Sequence, residues 1–348
     1  MATVQVIRDV LVELTGRYAF REVAHLVGAG AADSQLGRRE AATVQQLCAY
    51  GQRLFELDAE DFADPNAITM ANTDTRAIAR APSARVPDHL IARGRLCRMR
   101  QSPQERPRAA LVDLRPVYAL MLEVIAARWF RHEMAPLVAA VHIASEYAPL
   151  LAWQPFLGHA GDPLDLGRDR AFTGADSKWG DYDDRSCPHT RPQKAATRRS
   201  LRVANGPAAG WRSYLDRQHS LIARALATCA AGCDQPCSVM ASRTIDHRQQ
   251  LREANRLAKA YSECALVRMR HAAPVGHGFG VPGPAEVEEA WARSRRGIAE
   301  RGGMATSVLT EDGFPLPGFP SLLGAIASAP IAPDTLLADT AAEILRYV

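Results

Sequence analysis

Lysine is almost missing from this chain. Only Lys178, Lys194 and Lys259 occur among 42 basic residues, so arginine carries nearly all the positive charge. Together with the abundant alanine, this reads as the residue usage of a GC-rich bacterial genome. A formal charge of +4 excludes any requirement for a polyanionic partner. Runs of β-branched residues are scarce, and no stretch of the first half alternates apolar and polar residues as a half-buried strand does. An uncharged apolar leader is also missing, because MATVQVIRDVLVELTGR is amphipathic and carries Arg8, Asp9 and Glu13. The expectation is a cytoplasmic protein with reduced thiols. Its seven cysteines, an odd number, argue against a disulfide framework.

What the sequence does contain is helix-forming material. Over 348 residues the apolar fraction is 47% and the charged fraction 23%, enough for a sizeable core. Helical spacing runs through residues 3–28, with Val6, Val10, Leu14, Tyr18 and Val23 in register. It returns over 36–57, 67–81, 87–101, 211–231, 243–271, 284–302 and 333–347. The strongest apolar block, 111–157, is punctuated by Pro116, Pro136, Pro149 and Pro155. Its part from 134 to 157 is long enough to span a bilayer, but its prolines, His142 and Glu146 point to buried helices of a soluble protein. Residues 158–210, rich in Gly, Asp, Arg and Pro, lose periodicity. The expected fold is all-α, one helical domain over 1–348 with an irregular insertion at 158–210 acting as a lid or a pinned loop.

The most informative feature is TCAAGCDQPCS, which spaces Cys229, Cys233 and Cys237 as C-x3-C-x3-C. On a helix the first two lie one turn apart on one face, and Pro236 lets the third fold back. Thiolates are soft, charged donors suited to zinc or to an iron–sulfur centre. A fourth donor is expected from RSCPHT, as Cys187 or His189. The spacing matches neither the two-residue gaps of common zinc knuckles nor the ferredoxin runs. Without a fourth donor, the same residues read as small thiols in an Ala-rich helix.

Other groups stand out less. His142 and Glu146 are i and i+4 in the apolar block, so one helix can present both. With His132 and Glu123 nearby they suggest a polar pocket, or a site for non-haem iron or haem. WGDYDDR carries Asp181, Asp183 and Asp184 without a calcium-loop spacing and reads as a solvated loop. RPQKAATRRSLR offers Arg191, Arg198, Arg199 and Arg202 to phosphate, but without interleaved aromatics. His277 sits in a Gly-rich loop, GHGFG, able to close over a substrate or act as an acid–base group.

Taken together, these residues describe a metal-dependent bacterial enzyme acting on a small organic molecule in a helix-lined pocket. Its metal would be held by Cys187, Cys229, Cys233 and Cys237, and its polar groups would be His142, Glu146 and His277. Two other classes remain open on the same residues. One is a nucleic-acid-associated protein with the cysteines as a structural metal site; the other is a metal-free helical interaction protein.

Overall fold

The structure is a computed structural model describing residues 2–32, 36–58, 86–99, 108–185, 187–203, 218–233, 237–270, 280–304, 306–310 and 313–348. It is all-α, with no strand among the described residues. In chain order the helices are α1 (Ala2–Gly16), α2 (Phe20–Gly28), α3 (Arg38–Phe55), α4 (Asp88–Leu96), α5 (Arg115–Phe130) and α6 (Met134–Leu157). Two short ones follow, α7 (Pro163–Leu166) and α8 (Arg170–Thr173), then α9 (Arg191–Val203), α10 (His219–Gly232) and α11 (Ser238–Ala241). The chain closes with α12 (Ile245–Ser262), α13 (Ala265–Met269), α14 (Pro284–Gly302), α15 (Phe319–Ala327) and α16 (Leu336–Leu345). The expected helix over 67–81 lies outside the described residues. Two compact units emerge, one from residues 1–98, 119–131 and 333–348, the other from 99–118 and 132–332.

In the first unit α3 is the core helix. It buries Val44, Leu47 and Leu54 and packs against α2 and α16. Gly51 lets the Phe20 ring press onto the helix, where a Cβ would meet the ring at 2.8 Å. The sequence pattern over 3–28 is broken by Tyr18, whose φ of 57° ends the first helix. The buried face is therefore Leu11 and Thr15, while Val6 and Val10 stay exposed. Arg93 forks between Asp334 and Asp339, each at 2.5 Å, and ties α4 to the C-terminal helix. Glu123, expected to add a carboxylate near His142, instead accepts the Leu337 and Ala338 N–H groups at 3.0 Å and closes the start of α16.

In the second unit α6 is enclosed by α10, α12, α13 and α15. It is long and apolar enough to cross a membrane by length and composition. Here it buries Leu137, Val138, Val141, Ala144, Ala148 and Leu151 against those helices. The prolines do not subdivide it. Pro136 falls in the first turn, where its missing N–H costs nothing. Pro149 and Pro155 lie inside the helix, their cost outweighed by the packing around them. The helix stops at Gly158, whose φ of 75° an L side chain rarely adopts. The break before α6 places His132 outside any helix, with φ 56°, so it does not share a helical face with Glu146.

The 158–210 segment is locally ordered where described. Asp162 caps α7 by accepting the Leu164 N–H at 2.9 Å, and it pairs with Arg108. His219 donates from Nε2 to the Ala160 carbonyl at 3.2 Å. The Phe172 and Trp179 rings meet edge to face. Helix α9 then packs on α7 and α10, burying Ala196, Thr197 and Ser200. Gly180 crosses Thr197 so closely that a Cβ would lie 2.1 Å from its hydroxyl.

Two buried groups give the units opposite pH responses. Burial raises Glu123 to about 7, so the folded first unit holds its proton more tightly than the unfolded chain does. Its contribution to stability is therefore present below the ordinary carboxylate value and lost as pH rises toward 7. Burial lowers His219 to about 4, so the second unit keeps that contribution above the ordinary imidazole value and loses it as pH falls toward 4. Hydrogen exchange, corrected for intrinsic rates, should show α16 losing protection between pH 5 and 7. Glu123→Gln should flatten that slope, and α10 should lose protection only on acidification. An unchanged slope in Glu123→Gln would refute the assignment.

Candidate metal centre

The cysteine group is built at the end of α10. Cys229 lies in its last turns, and the helix ends at Gly232 with Cys233 outside it at ψ 89°. The chain returns with Cys237 as the residue before α11. Residues 234–236, including Pro236, lie outside the described residues. Cys229, Cys233 and Cys237 bring their sulfurs within 4.8 Å of one another, a grouping that could hold a metal ion. Among the described residues, no other group of three or more His, Cys, Asp or Glu donors has that spacing.

Several side-chain bonds hold α10, and two of them lie next to the cysteine group. The Trp153 indole N–H donates to the Leu226 carbonyl at 2.9 Å, fastening α10 to the core helix. His189 Nε2 lies 2.8 Å from the neighbouring Ala225 carbonyl and 3.3 Å from Cys229 Sγ. On the other side of that ring, Nδ1 meets the Cys187 sulfur. Cys187 also feels the Cys233 thiol, which lowers it against the larger rise from burial. Pro188, between the two, rests on Gly232, where a Cβ would lie 3.2 Å from the proline ring. The 158–210 segment thus carries both Cys187 and His189 to the cysteine group. Neither joins the three sulfurs within the 4.8 Å spacing.

The electrostatics concentrate charge on one sulfur. Cys237 is held well below the ordinary thiol value because it accepts hydrogen bonds from Cys229 and Cys233, and the Met240 and Val239 N–H groups reinforce this. Burial pushes Cys229 far up, and its bonds to the other two thiols act in the same direction. Cys233 feels the Cys229 bond, which lowers it, but its bond to Cys237 and its burial leave it raised. Burial also raises Cys187 and lowers His189, so the imidazole is neutral. A carbonyl only accepts, so the His189 proton sits on Nε2, and Nδ1 accepts from the Cys187 thiol.

The remaining sequence candidates fall elsewhere. His142 and Glu146 do face each other, at 3.4 Å, with Arg270 against His142 and Arg224 at 3.9 Å from Glu146. This makes a local ionic cluster on α6, and no third metal-binding donor joins it among the described residues. His277 lies outside the described residues. The aspartates of WGDYDDR form local turn bonds, such as Asp183 N–H to Asp181 at 3.0 Å. Tyr182 and Lys194 were not singled out from sequence, yet with His189 and Arg191 they line a cavity of ≈ 460 Å³. Their signals were the segments that hold them, WGDYDDR and the basic RPQKAATRRSLR, on either side of Cys187.

Thiol reactivity tests this geometry. In chelator-treated, reduced protein near neutral pH, iodoacetamide should label Cys237 ahead of Cys48 and Cys229, because the thiolate is the reacting form. Peptide mass spectrometry would read the order, and labelling of Cys48 before Cys237 would contradict it.

No protein-family model, curated protein or solved structure matches the chain, so the reading of this centre rests on its own residues.

Proposed function

We propose that Cys187, Cys229, Cys233 and Cys237 bind a single zinc ion. The carrying observation is the mutual spacing of three sulfurs within 4.8 Å. Four thiolates at the zinc–sulfur bond length of about 2.3 Å, arranged tetrahedrally, stand about 3.8 Å apart. An iron–sulfur cubane pushes its cysteine sulfurs further out by its own size. The donor chemistry fits zinc as well, since the set is all thiol, with Cys229 and Cys233 buried and Cys187 and Cys237 half-buried.

Cys187 is the better fourth donor. The His189 nitrogen nearest the group carries the proton given to Ala225, so it has no lone pair to offer. The unprotonated nitrogen is turned to Cys187. His189 is then an outer partner that orients a ligand. When bound, the zinc supplies a fixed positive charge that replaces the thiol protons. The chain's own residues supply the enclosure: Trp153 and His189 hold α10, and Pro188 keeps Cys187 against its end.

We infer further that the protein acts on a small organic molecule in a reducing, cytoplasm-like compartment. A cavity of ≈ 460 Å³ against His189 supports this, being of the size that small ligands occupy.

Metal analysis tests the centre. Protein purified under reducing conditions should carry one zinc per chain and no visible absorption band. Cys233→Ser and Cys237→Ser should lose the metal, and His189→Ala should weaken zinc binding by about 10–100-fold. A brown, iron-containing protein would replace zinc by an iron–sulfur centre. A metal-free protein that cannot be reconstituted would overturn the reading.

A further inference from the structure

The cavity beside the cysteine group is lined by Tyr182, His189, Arg191 and Lys194. It shares a wall with the group, because the same His189 ring lies 3.3 Å from Cys229 Sγ. Two of its described lining residues are cations. Lys194 is only 8% exposed, and its ammonium donates to the Asp184 carbonyl at 2.6 Å. That bond uses one of three N–H donors and leaves two for a ligand. No salt bridge reaches Lys194 or Arg191 among the described residues. A largely buried ammonium is costly unless an anion accompanies it. Arg191, at the start of α9, is exposed and able to fork onto two oxygens. Tyr182 adds a hydroxyl, and its ring is held by the Arg198 guanidinium 4.6 Å from its centre.

We propose that this cavity binds the oxyanion group of a small molecule, phosphate or carboxylate, and so presents that molecule beside the cysteine centre. Arg191 and Lys194 supply the charge, while Tyr182 and His189 form the walls. The cavity's role as the substrate site rests on the metal-centre reading above; its binding of an anion does not. Both cations come from the basic segment 191–202, whose arginines would otherwise suggest a nucleic-acid surface. In this arrangement the first turn of α9 serves a small ligand instead.

Calorimetric titration of the full chain with inorganic phosphate, and in a second arm with acetate, tests this at matched ionic strength. Zinc content is measured on the same samples. Wild type should bind phosphate saturably at one site. Arg191→Gln should weaken binding by about tenfold or more, and Arg191→Lys should recover part of it, with zinc content and helicity unchanged in all three. Preference for phosphate over acetate would assign a phosphoryl group, and the reverse a carboxylate. Absence of saturable binding of both anions, or equal affinity in Arg191→Gln and wild type, would overturn the proposal. Binding that depends on Arg191 in a protein unable to hold zinc would remove the substrate role and the metal reading together, while upholding the anion site.

Discussion

Two consecutive carbonyls of α10, at Ala225 and Leu226, accept side-chain N–H groups from two other parts of the second unit. One donor is Trp153, from the core helix; the other is His189, from the segment that precedes α9. A carbonyl has two lone pairs, so each can take such a bond in addition to its place in the helix ladder. With the Gln193 bonds to Arg224 and Thr228, the pair holds the depth and the rotation of α10. Cys229 lies one turn beyond Ala225, so its sulfur is fixed with them. The arrival of Cys187 depends on the same ring, because His189 holds its neighbour's thiol while it grips the helix. Loss of this anchor would leave three cysteines at a frayed helix end and a loop with nothing to bind.

The enclosure that packs these thiols also limits their charge. A dry site holds one thiolate readily and three only at great cost. The hydrogen bonds among the three sulfurs gather the charge on Cys237, whose position before α11 gives it backbone N–H partners as well. The group is thereby assembled in advance: ordering has been achieved by packing, and a cation bound there would have only to replace protons. The neighbouring cavity follows a similar rule in the opposite sign. There the protein buries a lysine and leaves an arginine exposed.

Much of the fold was legible because helical periodicity is a local signal. The core of α3 at Val44, Leu47 and Leu54, and the end of α6 at Gly158, follow from side-chain spacing and from one glycine. The errors came where packing overruled local rules. Pro149 and Pro155 read as breaks, yet α6 runs through them because helices on several sides hold it. Val6 and Val10 read as core, but the turn at Tyr18 rotates α1 and buries Leu11 and Thr15 instead. Glu123 read as a partner for His142, because sequence distance cannot show that the start of α16, more than two hundred residues later, needs a carboxylate.

The sequence by itself determined an all-α chain and a three-cysteine group. C-x3-C-x3-C at a helix end brings thiols together over a few residues, and that is short-range geometry. Tertiary structure alone decided that Cys187 and His189, some forty residues upstream, reach that group, and that Arg191 and Lys194 border a cavity against it. Those placements depend on how α9 packs against α10 and on which ring nitrogen meets which carbonyl. Such contacts are set by the whole unit folding at once, and no spacing along the chain encodes them.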